Sequence, residues 1–244
     1  MNPLVTGRFI GQLVPSSNRT VERTTERLLA DYPGLASCYS RIPYRPDGGG
    51  QPEVGYDVPP VMAAAELLTH AAVEVICWNG TKGAIDGFDV DRVLCDAATA
   101  SLGVPVTSVS LDILVILQRL GARRIGIISQ GTPARTRRIG DCFGAQGFET
   151  VAVCGLGLGS NLEAAMVAPA TLADAVRGCV AEAAPDAVLI WGTNLPGLPV
   201  VVALEAECGV AVIDSCSVGI WGCLAALGLP GAPLAAHGKI FGLQ

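Results

Sequence analysis

Two short segments of this 244-residue chain carry the residue types that hold a carboxylate or an oxyanion. They are Gly80-Thr81-Lys82-Gly83 and Gly192-Thr193-Asn194-Leu195, each following an apolar run. A glycine turn at a strand end exposes backbone N–H groups, and the threonine hydroxyl beside them adds a donor. Gly131-Thr132-Pro133 is a third such turn. The fourth segment, Pro15-Ser16-Ser17-Asn18-Arg19-Thr20-Val21-Glu22, opens a helix, with Ser17 or Asn18 as a cap and Glu22 in the first turn. Its hydroxyls, amide and free N–H groups also suit a carboxylate at a helix N-terminus. The candidate substrate contacts are therefore Pro15, Ser16, Ser17, Asn18, Gly80, Thr81, Gly131, Thr132, Gly192, Thr193 and Asn194. Lys82 is the candidate catalytic residue. Pointing into a cleft, it could bind a carboxylate or act as a base; pointing outward, it is an ordinary solvated lysine.

Near-continuous apolar runs must position these turns. Strands are predicted at Phe9–Val14, Ala36–Ser40, Val73–Trp78, Val104–Thr107, Arg124–Ser129, Glu149–Val153, Ala187–Trp191 and Val210–Ile213, with helices between them. Such strands belong to parallel sheets covered on both faces. The chain also repeats itself. Gly7–Asn18 resembles Ala122–Pro133, Val73–Gly83 resembles Asp186–Gly197, and Gly103–Ala122 resembles Gly209–Leu229, at offsets of about 106–115 residues. The expected fold is α/β: two similar Rossmann-like halves, 1–120 and 121–244, each a four-stranded parallel sheet, related by a pseudo-two-fold axis. Segment 217–244 is expected to pack across onto the first half. Ligands of open parallel sheets bind beyond the carboxyl ends of strands, so one site is expected between the halves. The polar, Gly-rich stretch 41–57 reads as a functional loop over it.

Composition narrows the function. A formal net charge of −6 with scattered arginines excludes a basic track for nucleic acid. No apolar run reaches the ~18 residues of a membrane span. Met1–Arg8 lacks the apolar stretch of a secretory leader, and with nine irregularly spaced cysteines the expected location is the cytoplasm. No CxxC pair supports a metal site. Gly155-x-Gly157-x-Gly159 lacks the acidic partner of a dinucleotide fingerprint, so no cofactor is expected. Cys77 and Cys216 read as buried thiols, His70 and His237 as unpoised, and Asp86 and Asp89 as caps of the next helix. A homo-oligomer is compatible with the apolar helices.

The Val14-Pro15-Ser16-Ser17-Asn18 opening with Thr20 and Glu22, the two Gly-Thr strand ends, Gly155-Leu156-Gly157 followed by Asn161, the Thr193-Asn194-Leu195-Pro196 run and the Gly209–Trp221 segment resemble one known group. It is the maleate cis–trans isomerase and arylmalonate decarboxylase group of the aspartate/glutamate racemase superfamily. The resemblance implies two Rossmann-like halves, a site between them, no cofactor, a small carboxylate substrate, and substrate contacts at Asn18 and Asn161. It also implies a Cys directly before the Thr of one or both strand ends. Here those positions are Gly80 and Gly192, and Gly131 stands where the isomerases have a Tyr. The expected function is a cofactor-independent enzyme acting on a small carboxylate or its amide or imide analogue. Thr81, Thr193 and Asn194 would stabilise the enolate or oxyanion, with water or a larger substrate group in the space the thiols vacate. The alternatives are a water-using hydrolase or hydratase, and a carboxylate-binding relative without catalysis.

Overall fold

The structure, a computed structural model, describes residues 7–47 and 49–243. The first half runs β1 (Arg8–Pro15), α1 (Val21–Leu29), β2 (Leu35–Ile42), α2 (Val58–Thr69), β3 (Val75–Trp78), α3 (Gly83–Asp86), α4 (Asp89–Leu102), β4 (Val106–Ser108) and α5 (Val109–Arg119). The second runs β5 (Arg124–Ser129), α6 (Pro133–Gly144), β6 (Glu149–Gly155), α7 (Asn161–Ala164), α8 (Pro169–Ala183), β7 (Ala187–Trp191), α9 (Leu198–Cys208), β8 (Ala211–Asp214) and α10 (Ser215–Ala226). Each half holds one four-stranded, all-parallel sheet, ordered β2-β1-β3-β4 and β6-β5-β7-β8. The identical order is the structural counterpart of the sequence repeat.

Side chains alternate across each strand and sort into three apolar layers. Val75, Leu189 and Trp191 face a core shared by both halves. There Phe143 of α6 meets Phe88 edge-on at 5.1 Å and Trp191 at 5.3 Å. Ile76 and Trp78 face the outer layer under α2 and α4, and Val188 and Ile190 face the outer layer beneath α8 and α9. Helix α10 is buried from Ser215 to Leu224, which suits its lack of any polar stripe, and it packs against α5, β3 and α1 of the first half. Asp86 and Asp89 do not cap the next helix. Asp86 lies in α3 and accepts from Gly55 N, whereas α4 starts without a side-chain cap. Among the described residues no helix is long and apolar enough to cross a membrane.

Asp91 of α4 is wholly buried, and burial pushes its carboxyl up to about 7 against a hydrogen bond from Tyr56 that acts in the opposite direction. A carboxyl raised on folding stabilises fully below its unfolded value near 4, and that stability is lost as pH rises through 7. The thermal midpoint should therefore fall between pH 5 and pH 8. Asp91→Asn should lessen that fall, to which the buried carboxyls of Asp112 and Asp214, raised to about 7 and about 6, also contribute, and should raise the pH 8 midpoint by roughly 5 °C in a thermal melt.

Candidate functional site

The turns after β1, β3, β5 and β7 meet around one cavity of about 90 Å³ between the halves. Pro15, Asn18, Gly80, Thr81, Lys82, Gly131, Asn161, Gly192, Thr193 and Asn194 all line it. Ser16, Ser17 and Thr132 do not. Ser16 Oγ exchanges hydrogen bonds with the backbone of Tyr44, donating to O at 3.0 Å and accepting from N at 2.9 Å. Ser17 Oγ accepts from Asn161 Nδ2 at 2.9 Å. Thr132 caps α6 by accepting from Arg135 N at 3.3 Å.

The asparagines hold the halves together. Asn18 Oδ1 accepts from the N–H groups of Thr20 and Val21 at the start of α1. Its Nδ2 crosses to Thr193, 3.1 Å from O and 3.2 Å from Oγ1. Asn194 answers from the other side. Its Oδ1 accepts from Arg19 N at 2.9 Å and Thr20 Oγ1 at 3.2 Å, and its Nδ2 donates to the carbonyls of Asn161 and Ser17. Asn161 Oδ1 accepts from Gln130 Nε2 at 2.9 Å. The amide donors and acceptors of these residues are thus largely committed to the seam.

The two threonines differ. Thr193 Oγ1 is buried and donates to Asn79 O at 2.9 Å. Thr81 Oγ1 has no partner among the described residues, and neither do the backbone N–H groups of Thr81, Lys82, Thr193 and Asn194. The free donors therefore form two facing cradles, and the only uncommitted threonine hydroxyl is in the first.

Lys82 reaches away from a base's position. Its Nζ donates to Pro52 O at 2.5 Å and Gly55 O at 2.7 Å, with Asp86 Oδ2 at 3.5 Å. It pins the segment after β2 over the cavity. Tyr56 of that segment stacks edge-on against Trp78 and donates to Asp91. Tyr44, from the same segment, lines the cavity, and burial raises its hydroxyl above the usual phenol range, so it stays protonated. Among the described residues, Tyr44, Lys82 and Arg135 are the only ionisable ones in the lining, with no Asp, Glu, His or Cys. Glu22 pairs with Arg41 at 2.7 Å. Cys77, hydrogen-bonded to Cys223 and buried, is held well above the usual thiol range. Burial does the same to Cys216, whose Sγ donates to Thr193 O at 3.0 Å behind the turn. Neither thiol is a thiolate at neutral pH.

The two glycines expected to leave empty space are not alike. A Cβ on Gly80 would fall within the Trp78 indole, 2.5 Å from Nε1, so that space is filled by the ring. A Cβ on Gly192 would have Leu195 Cδ1 at 3.7 Å and Gln130 Oε1 at 4.0 Å, which is room enough, but its φ of +141° strains any other residue.

Sequence reasoning missed Tyr44, Trp78, Asn79, Gln130, Arg135 and Trp191 as lining residues. Trp78 and Trp191 end the strands that carry the two Gly-Thr turns, so the strand-end rule reaches them if applied two residues and one residue earlier, respectively. Arg135 stands in the first turn of the helix after Gly131. Among the described residues no cluster of three or more His, Cys, Asp or Glu is placed to hold a metal ion.

The sequence pattern of a family described as arylmalonate decarboxylase matches residues 49–241. An arylmalonate decarboxylase of Bordetella bronchiseptica is 27% identical over 236 residues, 95% of each chain. A maleate isomerase of Alcaligenes faecalis is 25% identical over 235 residues, covering 90% of this chain and 91% of that one. Among solved structures, the maleate isomerase Iso from Pseudomonas putida S16 matches with a TM-score of 0.83 at 21% identity, over 98% of this chain and 100% of the other. A Nocardia farcinica maleate cis–trans isomerase mutant, solved with a covalently bound succinylcysteine intermediate, matches with a TM-score of 0.82 at 23% identity, over 96% of this chain and 98% of the other.

Proposed function

Since the chain belongs to the arylmalonate decarboxylase family, we propose that it catalyses cofactor-independent loss of CO2 from a small, non-aromatic malonate-type acid. The observation that carries this reading is a cavity with two sets of free oxyanion donors, no carboxylate, imidazole or thiol on its described wall, and its one lysine engaged with the carbonyls of Pro52 and Gly55. Isomerising a double bond requires a nucleophile to add and leave. Hydrolysing an amide or imide requires a group to take a proton from water. Decarboxylation requires neither. The C–C bond to the leaving carboxylate breaks, CO2 departs, and the electron pair flows into the retained carboxylate to give an enediolate. Thr81 Oγ–H and the N–H groups of the two turns meet that charge. Tyr44 supplies the proton to carbon and is reprotonated from solvent.

Size selects the substrate. A cavity that takes benzene measures about 150 Å³. The 90 Å³ here accommodates an acid of a few carbons and is smaller than the space an aryl ring fills. The lack of a base fits one further reading, a carboxylate-binding relative without turnover. Both are tested by incubating the protein with 2-methylmalonate and phenylmalonate and following CO2 and the monoacid by NMR. The expected result is turnover of methylmalonate at least about 10-fold faster than phenylmalonate, as steric exclusion of a whole ring requires. Binding of methylmalonate without CO2 release supports the non-catalytic reading. Conversion of maleate to fumarate with methylmalonate untouched overturns the lyase reading.

A further inference from the structure

We propose that Arg135 and the chamber beside it form a second anion subsite, which selects substrates bearing an additional carboxylate at their far end. The inference rests on the reading of the main cavity as a carboxylate site. A second cavity of about 150 Å³ adjoins the first. The two share Tyr44, Gln130, Gly131, Arg135 and Asn161 as common wall, and the Gln130–Asn161 hydrogen bond runs within that wall. Arg135 therefore faces both spaces.

Its guanidinium has five donors, yet the side chain makes no hydrogen bond or ion pair with any described residue. The neighbouring Arg138, by contrast, donates to Ile85 O. Arg135 lies in the first turn of the twelve-residue helix α6, so the helix dipole adds to its positive field. Its stem lies along Gly131: a Cβ there would come 2.9 Å from Arg135 Cδ and 3.2 Å from Arg135 Cβ. Glycine at 131 is what lets the arginine reach the cavity wall. The chamber's one acidic residue, Asp47, is exposed, accepts from Gly49 N at 2.8 Å and lies 3.7 Å from Arg45, so its charge is already answered. A substrate with its malonate head at the Thr81 turn can extend a carboxylate-bearing arm past Gln130 to Arg135. Loss of CO2 from such an acid leaves a linear dicarboxylate.

The test is calorimetric binding of glutarate, a product of that kind, against its monoamide. On the unsubstituted protein glutarate should bind about 10-fold more tightly, the size of one charge-assisted contact. Arg135→Gln should erase the ratio by weakening glutarate alone, and Arg135→Lys should retain part of it. A ratio that survives in Arg135→Gln, or equal loss of both ligands, overturns the subsite. Equal affinity of the two ligands for the unsubstituted protein overturns it too, while methylmalonate turnover keeps the main-site reading. Absence of both binding and turnover overturns the two together.

Discussion

Thr81→Val is expected to lower kcat by roughly 100- to 1,000-fold, the cost of removing one oxyanion donor. Valine keeps the shape of the side chain and removes only its hydroxyl. That hydroxyl has no partner among the described residues, so the thermal midpoint should stay within about 1 °C of the parent's, as for a surface change that breaks no existing contact. KM should move little, because the charge on the enediolate is far more localised at that donor than the charge of the bound acid. Thr81→Ser should recover most of the rate. Thr193→Val provides the contrast. It strands the carbonyl of Asn79 and an amide hydrogen of Asn18, so its loss should register first in stability. Steady-state kinetics beside a thermal melt separate the two, and a large KM change in Thr81→Val with kcat intact would move that residue from reaction to binding.

Asn194→Ala is expected to destabilise the protein by about 3 kcal/mol and to abolish turnover. Asn194 is nearly buried and bonded through both ends of its amide. Its loss leaves the N–H of Arg19 and the carbonyl of Asn161 without those partners, and each buried orphan costs about 1–3 kcal/mol. The bonds it breaks join the Pro15–Val21 turn of one half to the β7 turn of the other, so the cavity loses its shape along with its support. Chemical denaturation should show a lower midpoint with an unchanged slope. Asn194→Asp keeps the size but turns two donors into an acceptor facing two carbonyls, and should be no more stable than alanine. An Asn194→Ala protein as stable as the parent would show that the core under Phe143 holds the halves together unaided.

The residue pattern discloses part of this architecture and hides the rest. The two parallel sheets are legible because strands such as Val75–Trp78 and Ala187–Trp191 are apolar on both faces, and the repeat places the four turns opposite one another. Conformation and distant partners are not legible. Spacing locates the Cα of Lys82, but its four-carbon stem ends on carbonyls about 30 residues back in the chain. Asn18, Asn161 and Asn194 have the chemistry of substrate ligands, and only the folded chain shows their amides committed to partners 144 or 175 residues away across the seam. Gly80 suggests open space, which the rotamer of a tryptophan two residues earlier removes. Arg135 sits on an exposed helical face, and its role rests on Gly131, four residues before it, having no side chain.

The proposed reaction in this cleft runs through hydrogen-bond donors and no sulfur. The measurement that bears on it most directly is turnover of 2-methylmalonate in D2O by protein previously treated with iodoacetamide, followed by NMR and intact mass. The expected result is propionate carrying one deuterium at C2, a rate unchanged by alkylation, and no substrate-derived adduct on any cysteine. Loss of turnover on alkylation, or a covalent substrate adduct on a thiol, would contradict it.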